Sequence, residues 1–189
     1  MPAVGVDLKI LNVDVLSNKL VTDNPANRCY YCKQGVFETI LEAAKNDGMT
    51  VILDGTNASD DADDRPGMKA LQEMKVLSPL RMCGYVKSEI RKQSKEAGLF
   101  VYNKPSYACL ATRIPTGTEI DEEKIKQVET AEKFLLDLGF SDFRVRWMDN
   151  KAKIQMPESQ LQALMEKREV VLEELSKIFD EVLLDLRTR

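Results

Sequence analysis

The chain has 189 residues, 43% hydrophobic and 31% charged, and 27 basic against 31 acidic side chains give a formal net charge of −4. That is enough chain for one or two domains with a real core, and its mild acidity argues against a bulk nucleic-acid binder. Histidine is absent, so Ser-His-Asp and Cys-His nucleophile pairs, HExxH zinc sites and Cys₂His₂ fingers are all excluded within this chain. Any acid, base or ligand must be Asp, Glu, Cys, Lys, Tyr or a cofactor. The four cysteines, Cys29, Cys32, Cys83 and Cys109, are too few and too uneven for a small secreted disulfide scaffold. No basic segment leads into an apolar run near residue 1, and no stretch approaches the roughly 20 apolar residues of a membrane helix. The expected setting is a reducing cytoplasm, with no membrane partner.

In chain order, residues 8–16 alternate loosely (Leu8, Ile10, Val13, Val15) and predict a strand. Val36, Phe37, Ile40, Leu41 and Ala44 recur at helical spacing, and Asp47-Gly48 ends that helix. Residues 50–54 form a short apolar run with a turn after them. An acidic loop follows, and Pro66 suits the first turn of another helix. Residues 76–80 are a second apolar run, and residues 87–97 predict a helix closed by Gly98. Strands alternating with helices imply a largely parallel sheet, whose ligands bind beyond the strands' carboxyl ends, where Asp54-Gly55-Thr56-Asn57 would lie.

The pattern changes after Gly117. Residues 121–138 predict a long amphipathic helix, residues 143–148 and 151–156 a hairpin turning at Asp149-Asn150, residues 158–178 a helix, and residues 182–186 a last strand. Two domains are expected, 1–117 and 118–189, the second an α-β-β-α-β module. The first offers only about three strands and begins abruptly, which leaves edges a soluble domain normally covers. The expectation is that a partner chain completes the sheet or that preceding residues are missing.

Several groups carry chemistry. Cys29-Tyr30-Tyr31-Cys32-Lys33 reads as half a metal site, a redox pair or two ordinary thiols; Lys33 favours thiolate. Cys109 lies in a Pro-anchored loop at the domain boundary, with Lys104 and Arg113 on either side, where positive charge makes a thiolate available. Arg144 and Arg146 flank Val145 on a predicted strand. Alternation puts both guanidinium groups on one face, suited to a phosphate or carboxylate or simply solvated. The acidic run Asp60-Asp61-Ala62-Asp63-Asp64 has oxygen ligands but not the EF-hand spacing, and reads as a solvated loop. Cys83 reads as packing.

Asn27-Arg28-Cys29-Tyr30-Tyr31-Cys32-Lys33, Asp54-Gly55-Thr56-Asn57, Arg65-Pro66-Gly67, Ser78-Pro79-Leu80, Lys87-Ser88-Glu89-Ile90-Arg91, Lys104-Pro105, Cys109-Leu110-Ala111-Thr112-Arg113-Ile114-Pro115 and Arg144-Val145-Arg146 occur in this order. Together they resemble the ATP-dependent sacrificial sulfur transferases of the PP-loop pyrophosphatase superfamily, which help make the nickel-pincer nucleotide cofactor of lactate racemase. The resemblance runs from about Ile10 to the end. It implies an α/β fold, an incomplete Rossmann-like (PP-loop, adenine nucleotide hydrolase-like) parallel sheet followed by a small α+β domain. It also implies that a carboxylate of a pyridinium dicarboxylate mononucleotide is adenylated by ATP with Mg²⁺ and converted to a thiocarboxylate by a sulfur nucleophile that displaces AMP.

In one branch of the family the sulfur comes from a cysteine that becomes dehydroalanine; that position here is Cys109, with Thr112 where the family has Ser. In another, three cysteines hold a [4Fe-4S] cluster bearing an exchangeable sulfide, which Cys29, Cys32 and Cys109 match. The CxxC residues favour the cluster. By resemblance Gly55, Thr56 and Asn57 are nucleotide-binding, Arg113, Arg144 and Arg146 hold the substrate phosphate, and Glu132 joins Cys109 as catalytic. The superfamily's Ser-Gly-Gly-x-Asp-Ser loop has no counterpart, and Gly5-Val6-Asp7 is no disguised copy. A truncated or split member that binds ATP poorly is therefore expected, working as a homo-oligomer or with a partner chain that supplies the loop. The competing readings are a non-catalytic, metal-stabilised binding or oligomerisation module, and a tRNA-thiolating PP-loop enzyme. Net acidity and the lack of a visible RNA-binding domain speak against the last.

Overall fold

A computed structural model describes residues 5–60, 66–104 and 107–188. Residues 61–64 of the acidic run, Arg65, Pro105 and Ser106 lie outside the described residues. The chain is mixed α and β. In order it forms α1 (Lys19–Thr22), α2 (Arg28–Asn46), α3 (Pro66–Glu73), α4 (Pro79–Met82), α5 (Lys87–Glu96), a 3₁₀ turn (Leu110–Arg113), α6 (Glu122–Asp137), β1 (Arg144–Met148), β2 (Lys151–Gln155), α7 (Glu158–Glu166), α8 (Arg168–Leu175) and β3 (Glu181–Leu184). No helix among the described residues is long and apolar enough to cross a membrane. Two compact units result: residues 1–21 with 25–104, and residues 22–24 with 105–189.

The first unit is helical. α2 packs along α3, and Met68, Leu71 and Val76 form a small core with Phe37, Ile52 and Met74 against it. Gly67 permits this approach: a Cβ there would come within 3.0 Å of Lys33 Cδ and 3.5 Å of the Cys29 carbonyl. α5 ends as predicted, with Gly98 at φ +70°, a conformation that favours glycine.

The expected parallel sheet is not seen. Among the described residues of this unit the pairing reduces to one parallel bridge, Leu53↔Leu77, held by Asp54 N–H to Leu77 O (2.9 Å) and Leu77 N–H to Ile52 O (3.0 Å). The predicted strand over residues 8–16 is irregular, with Leu8 and Ile10 82% and 78% exposed. A strand is stable only when laddered to neighbours, and an apolar run without them satisfies its backbone in water instead.

The second unit carries the larger core. β1 and β2 are antiparallel around Asp149 and Asn150, both at positive φ (47° and 59°), as a two-residue type I′ hairpin requires. β2 then pairs with β3 in parallel, giving the order β1-β2-β3. The core gathers Ala131 and Leu135 of α6, Val145, Ala152 and Ile154 of the sheet, and Leu164, Val171, Leu175 and Phe179 beyond it. Asp121 caps α6 by accepting the Lys124 N–H (2.7 Å), so one orphan amide of the first turn is satisfied.

The helix predicted over residues 158–178 is instead two helices that break at Lys167. The Lys167 ammonium donates to the Leu138 carbonyl at the end of α6 (2.7 Å) and lies 5.4 Å from the Phe140 ring centroid. Residues 22–24 join this unit through Asn24, which is fully buried at φ +52°. Its amide donates to the carbonyls of Pro115 (2.7 Å) and Thr118 (3.0 Å), while its own carbonyl accepts from Gly117 N–H (2.9 Å).

Candidate functional site

α6 sets the centre of the second unit's polar cluster. Its buried face carries Val128, Ala131, Glu132 and Leu135, so helical spacing places a carboxylate in an apolar stripe. Charge there requires a partner. Arg113, at the end of the 3₁₀ turn, supplies it: Nε donates to Glu132 Oε1 (2.6 Å) and Nη2 to Oε2 (3.1 Å), with the two residues 1% and 0% exposed. The Val145 N–H of β1 donates to Oε1 (2.9 Å) and the Tyr107 hydroxyl to Oε2 (2.6 Å). Glu132 thus accepts four hydrogen bonds, the full capacity of an ionised carboxylate. The Arg113 guanidinium also lies 5.7 Å from the Tyr107 ring centroid, a cation–π distance.

Burial, the hydrogen bond to Glu132 and its negative charge together push the Tyr107 phenol up to about 12, against 10.0 ordinarily. Desolvation and a carboxylate neighbour both disfavour the phenolate.

Cys109 heads the 3₁₀ turn and is exposed. Thr112 returns to it, N–H (3.0 Å) and hydroxyl (2.7 Å) both donating to the Cys109 carbonyl. Arg113 Nη1 donates to the Thr112 hydroxyl (2.8 Å). The residue that presents the thiol is therefore locked to the one that anchors the loop.

The two strand arginines differ. Arg144 is 5% exposed and donates through Nη1 to the Phe143 carbonyl (2.6 Å). Arg146 is half-buried, its Nη1 on the Thr112 carbonyl (2.7 Å) and its Nε on Gln155 Oε1 (2.7 Å). The cluster therefore joins Cys109, Arg113, Glu132 and Arg146, and adds Tyr107 and Gln155, which sequence reasoning passed over. Gln155 had a signal: Arg146 faces Lys153 across the hairpin, so Gln155 is its diagonal neighbour on the same face.

In the first unit, Cys29 and Cys32 lie in the opening turns of α2, three residues apart on one side of the helix, Cys29 exposed and Cys32 half-buried. Arg28 Nη2 lies 3.8 Å from the Cys29 sulfur. Within either unit, no group of three or more Cys, Asp or Glu among the described residues could hold a metal ion. Gly55, Thr56 and Asn57 form a loop tied by its own side chains. The Asp54 carboxylate accepts from the Ser78 hydroxyl (2.6 Å) and the Thr56 hydroxyl (2.5 Å), and Asn57 Nδ2 donates to Asp60 (2.8 Å). Burial works against the Asp54 charge, but these hydrogen bonds prevail and hold its carboxyl below the usual range. A Cβ on Gly55 would meet nothing within 4 Å. An apolar cleft of about 320 Å³ lined by α7, α8 and β3 contains none of the expected site residues.

No protein-family model matches the chain. Among curated proteins one named relative stands out. The chain is 33% identical, over 157 residues, to the pyridinium-3,5-bisthiocarboxylic acid mononucleotide synthase of Lactiplantibacillus plantarum. That match covers 83% of this chain and 57% of the synthase. An uncharacterized protein of Synechocystis is 36% identical over 176 residues, 93% of this chain and 65% of the relative. One from Methanocaldococcus jannaschii is 32% identical over 161 residues, 85% and 63% respectively. The chain spans less than two thirds of the length of each.

Proposed function

We propose that this chain is part of a sulfur transferase of nickel-pincer cofactor synthesis, which converts an adenylated pyridinium carboxylate mononucleotide to the thiocarboxylate. The observation that carries the reading is the presentation of Cys109, exposed at the head of a turn whose far end is fixed by the buried Arg113–Glu132 pair. A nucleophile held this way loses little freedom on reaching its target. The similarity to a named thiocarboxylic acid mononucleotide synthase supports the same chemistry.

In this reading Arg144 and Arg146 hold the substrate phosphate. Arg113, with all three nitrogens engaged on Glu132 and Thr112, secures the loop, and Glu132 holds Arg113. The Cys109 sulfur attacks the acyl-adenylate carbon, the carbon–oxygen bond to AMP breaks, and AMP leaves with the electron pair. A base then removes the Cys109 Cα proton, the Cβ–S bond breaks, and the thiocarboxylate departs, leaving dehydroalanine. ATP with Mg²⁺ supplies the adenylate, and Gly55, Thr56 and Asn57 are the nucleotide-facing loop.

A second reading takes the sulfur from a cluster instead: Cys29 and Cys32 are two thiols on one side of α2, and Cys109 is a third, exposed thiol. They would hold a [4Fe-4S] cluster, which supplies an exchangeable sulfide when bound.

The test is iron and acid-labile sulfide content of protein purified without oxygen, with intact mass before and after turnover. About four irons per chain, lost on Cys29→Ala, Cys32→Ala or Cys109→Ala, selects the cluster. No iron, with Cys109 converted to dehydroalanine, selects sacrifice. Full sulfur transfer by Cys109→Ala overturns both.

A further inference from the structure

Arg146 donates from two of its nitrogens. Its Nη1 meets the Thr112 carbonyl, and its Nε meets Gln155 Oε1, each at 2.7 Å. The second contact depends on which way the Gln155 amide points, since the group has an acceptor at one end and a donor at the other. A guanidinium can only donate. If the amide were reversed, its NH₂ would face Arg146 and the bond would become a donor–donor clash.

What sets the amide lies just beyond the sheet. Gln155 Nε2 donates to Asp185 Oδ2 (2.9 Å), and an ionised carboxylate can only accept. A donor-only group on one side and an acceptor-only group on the other leave one orientation for the amide between them. Asp185 is itself fixed. Its N–H donates to the Ile154 carbonyl (2.8 Å), extending the parallel ladder of β2 and β3 by one residue. The Arg187 N–H (3.1 Å) and the Lys153 ammonium (3.0 Å) meet its two oxygens, and its side chain is only 13% exposed. Hydrogen bonds from Gln155 and Lys153 hold its carboxyl far below the ordinary range, so it stays ionised at physiological pH.

We propose that Asp185 is a positioning residue for Arg146, acting through the side-chain amide of Gln155. It touches no substrate; it selects the amide orientation that holds the arginine over the Cys109 turn. This rests on the reading of Arg146 as an anion-binding arginine of the sulfur transferase. It adds that the residue after the last strand governs the aim of that arginine, a polar side chain directly following Val182-Leu183-Leu184.

The test reads Arg146 directly. Its Nε–H resonance in ¹⁵N NMR, assigned by its loss in Arg146→Lys, reports the bond to Gln155 without any substrate. Asp185→Leu, which removes the acceptor, should speed exchange of that proton about tenfold, the weight of one hydrogen bond. Asp185→Asn keeps one acceptor oxygen for Gln155, at the expense of the Arg187 N–H contact, and loses the charge, so exchange should speed up less than in Asp185→Leu. Lys153→Met removes the ion pair but leaves the acceptor, and should behave like Asp185→Asn.

Unchanged exchange in Asp185→Leu overturns the proposal. So does equal acceleration in Asp185→Asn or Lys153→Met, which would make Asp185 an ordinary ion-pair partner. In turnover assays Asp185→Leu should raise the KM for the mononucleotide and leave kcat nearly intact, with Asp185→Asn restoring KM. Wild-type protein with a protected Nε–H but no sulfur transfer would sink the functional reading and leave the positioning role standing.

Discussion

The buried pair at the centre of the second unit gives the sharpest prediction. Replacing Glu132 by Gln keeps its shape and removes its charge. The carboxylate accepts four hydrogen bonds, whereas an amide oxygen accepts two and its nitrogen is itself a donor. The loss strands Arg113, 1% exposed, as an uncompensated buried cation, a defect that costs about 3–5 kcal/mol. A small unit has about 5–15 kcal/mol in all, so this variant should stand near the edge of folding. Urea unfolding followed by Trp147 fluorescence isolates the effect, because Trp147 is the chain's one tryptophan and its indole donates to Gln127 of α6 (2.9 Å). At a slope of about 2 kcal/mol per molar urea, the midpoint should fall by about 2 M. Arg113→Met should do nearly the same. The double variant should recover much of the loss, because neither charge is then left unpaired, giving a coupling of at least about 2 kcal/mol. Additive single effects, or a midpoint change under about 0.5 M for Glu132→Gln, would refute the account of Glu132 as the anchor of the Cys109 turn.

Two further outcomes follow from the same unit. Tyr107 titrates near 12 in the folded chain against 10.0 ordinarily, so between those values the folded state binds the extra proton and stability falls as pH rises through the window; Tyr107→Phe should flatten that slope and remove one late-titrating phenol from the alkaline absorbance curve. Asn24→Asp puts a carboxylate against the Pro115 and Thr118 carbonyls, which now accept from its amide. It should lower the urea midpoint more than Asn24→Ala, which loses about two hydrogen bonds at about 1 kcal/mol each. A smaller effect for the aspartate would mean that the amide donors are not what ties residues 22–24 to this unit.

Legibility from sequence followed the range of the forces involved. α5 and α6 were readable because spacing, caps and Gly98 are local signals. The hairpin was readable because Asp149-Asn150 suits the left-handed turn it makes. The break at Lys167 was not, since it coincides with a bond to the Leu138 carbonyl 29 residues away. The first unit was less legible for a related reason: residues 50–54 and 76–80 have strand composition, but composition does not supply a neighbour to ladder with, and among the described residues the two runs meet in one bridge. Asn24 gave no warning either, because its partners lie more than 90 residues on.

Glu132 shows where a closer reading of the same letters would have reached further. Val128, Ala131 and Leu135 predict the buried stripe of α6, and Glu132 falls inside that stripe at i+4 from Val128. A carboxylate on an apolar face has few options: it is neutralised, or it meets a cation and enough donors to replace water. With no histidine in the chain, that cation had to be Lys or Arg, and a bidentate fork is the group that fills a carboxylate most completely. Arg113, at the end of a short turn following a solvent-facing cysteine, can be buried only if such a partner receives it. Each residue explains the other's burial, and their joint effect is to fix in space the stretch that carries Cys109. The same reasoning applies one strand further out, where a donor-only arginine and an acceptor-only aspartate leave the glutamine between them a single orientation. In both places the chain holds its chemistry with groups that have lost the freedom to point elsewhere.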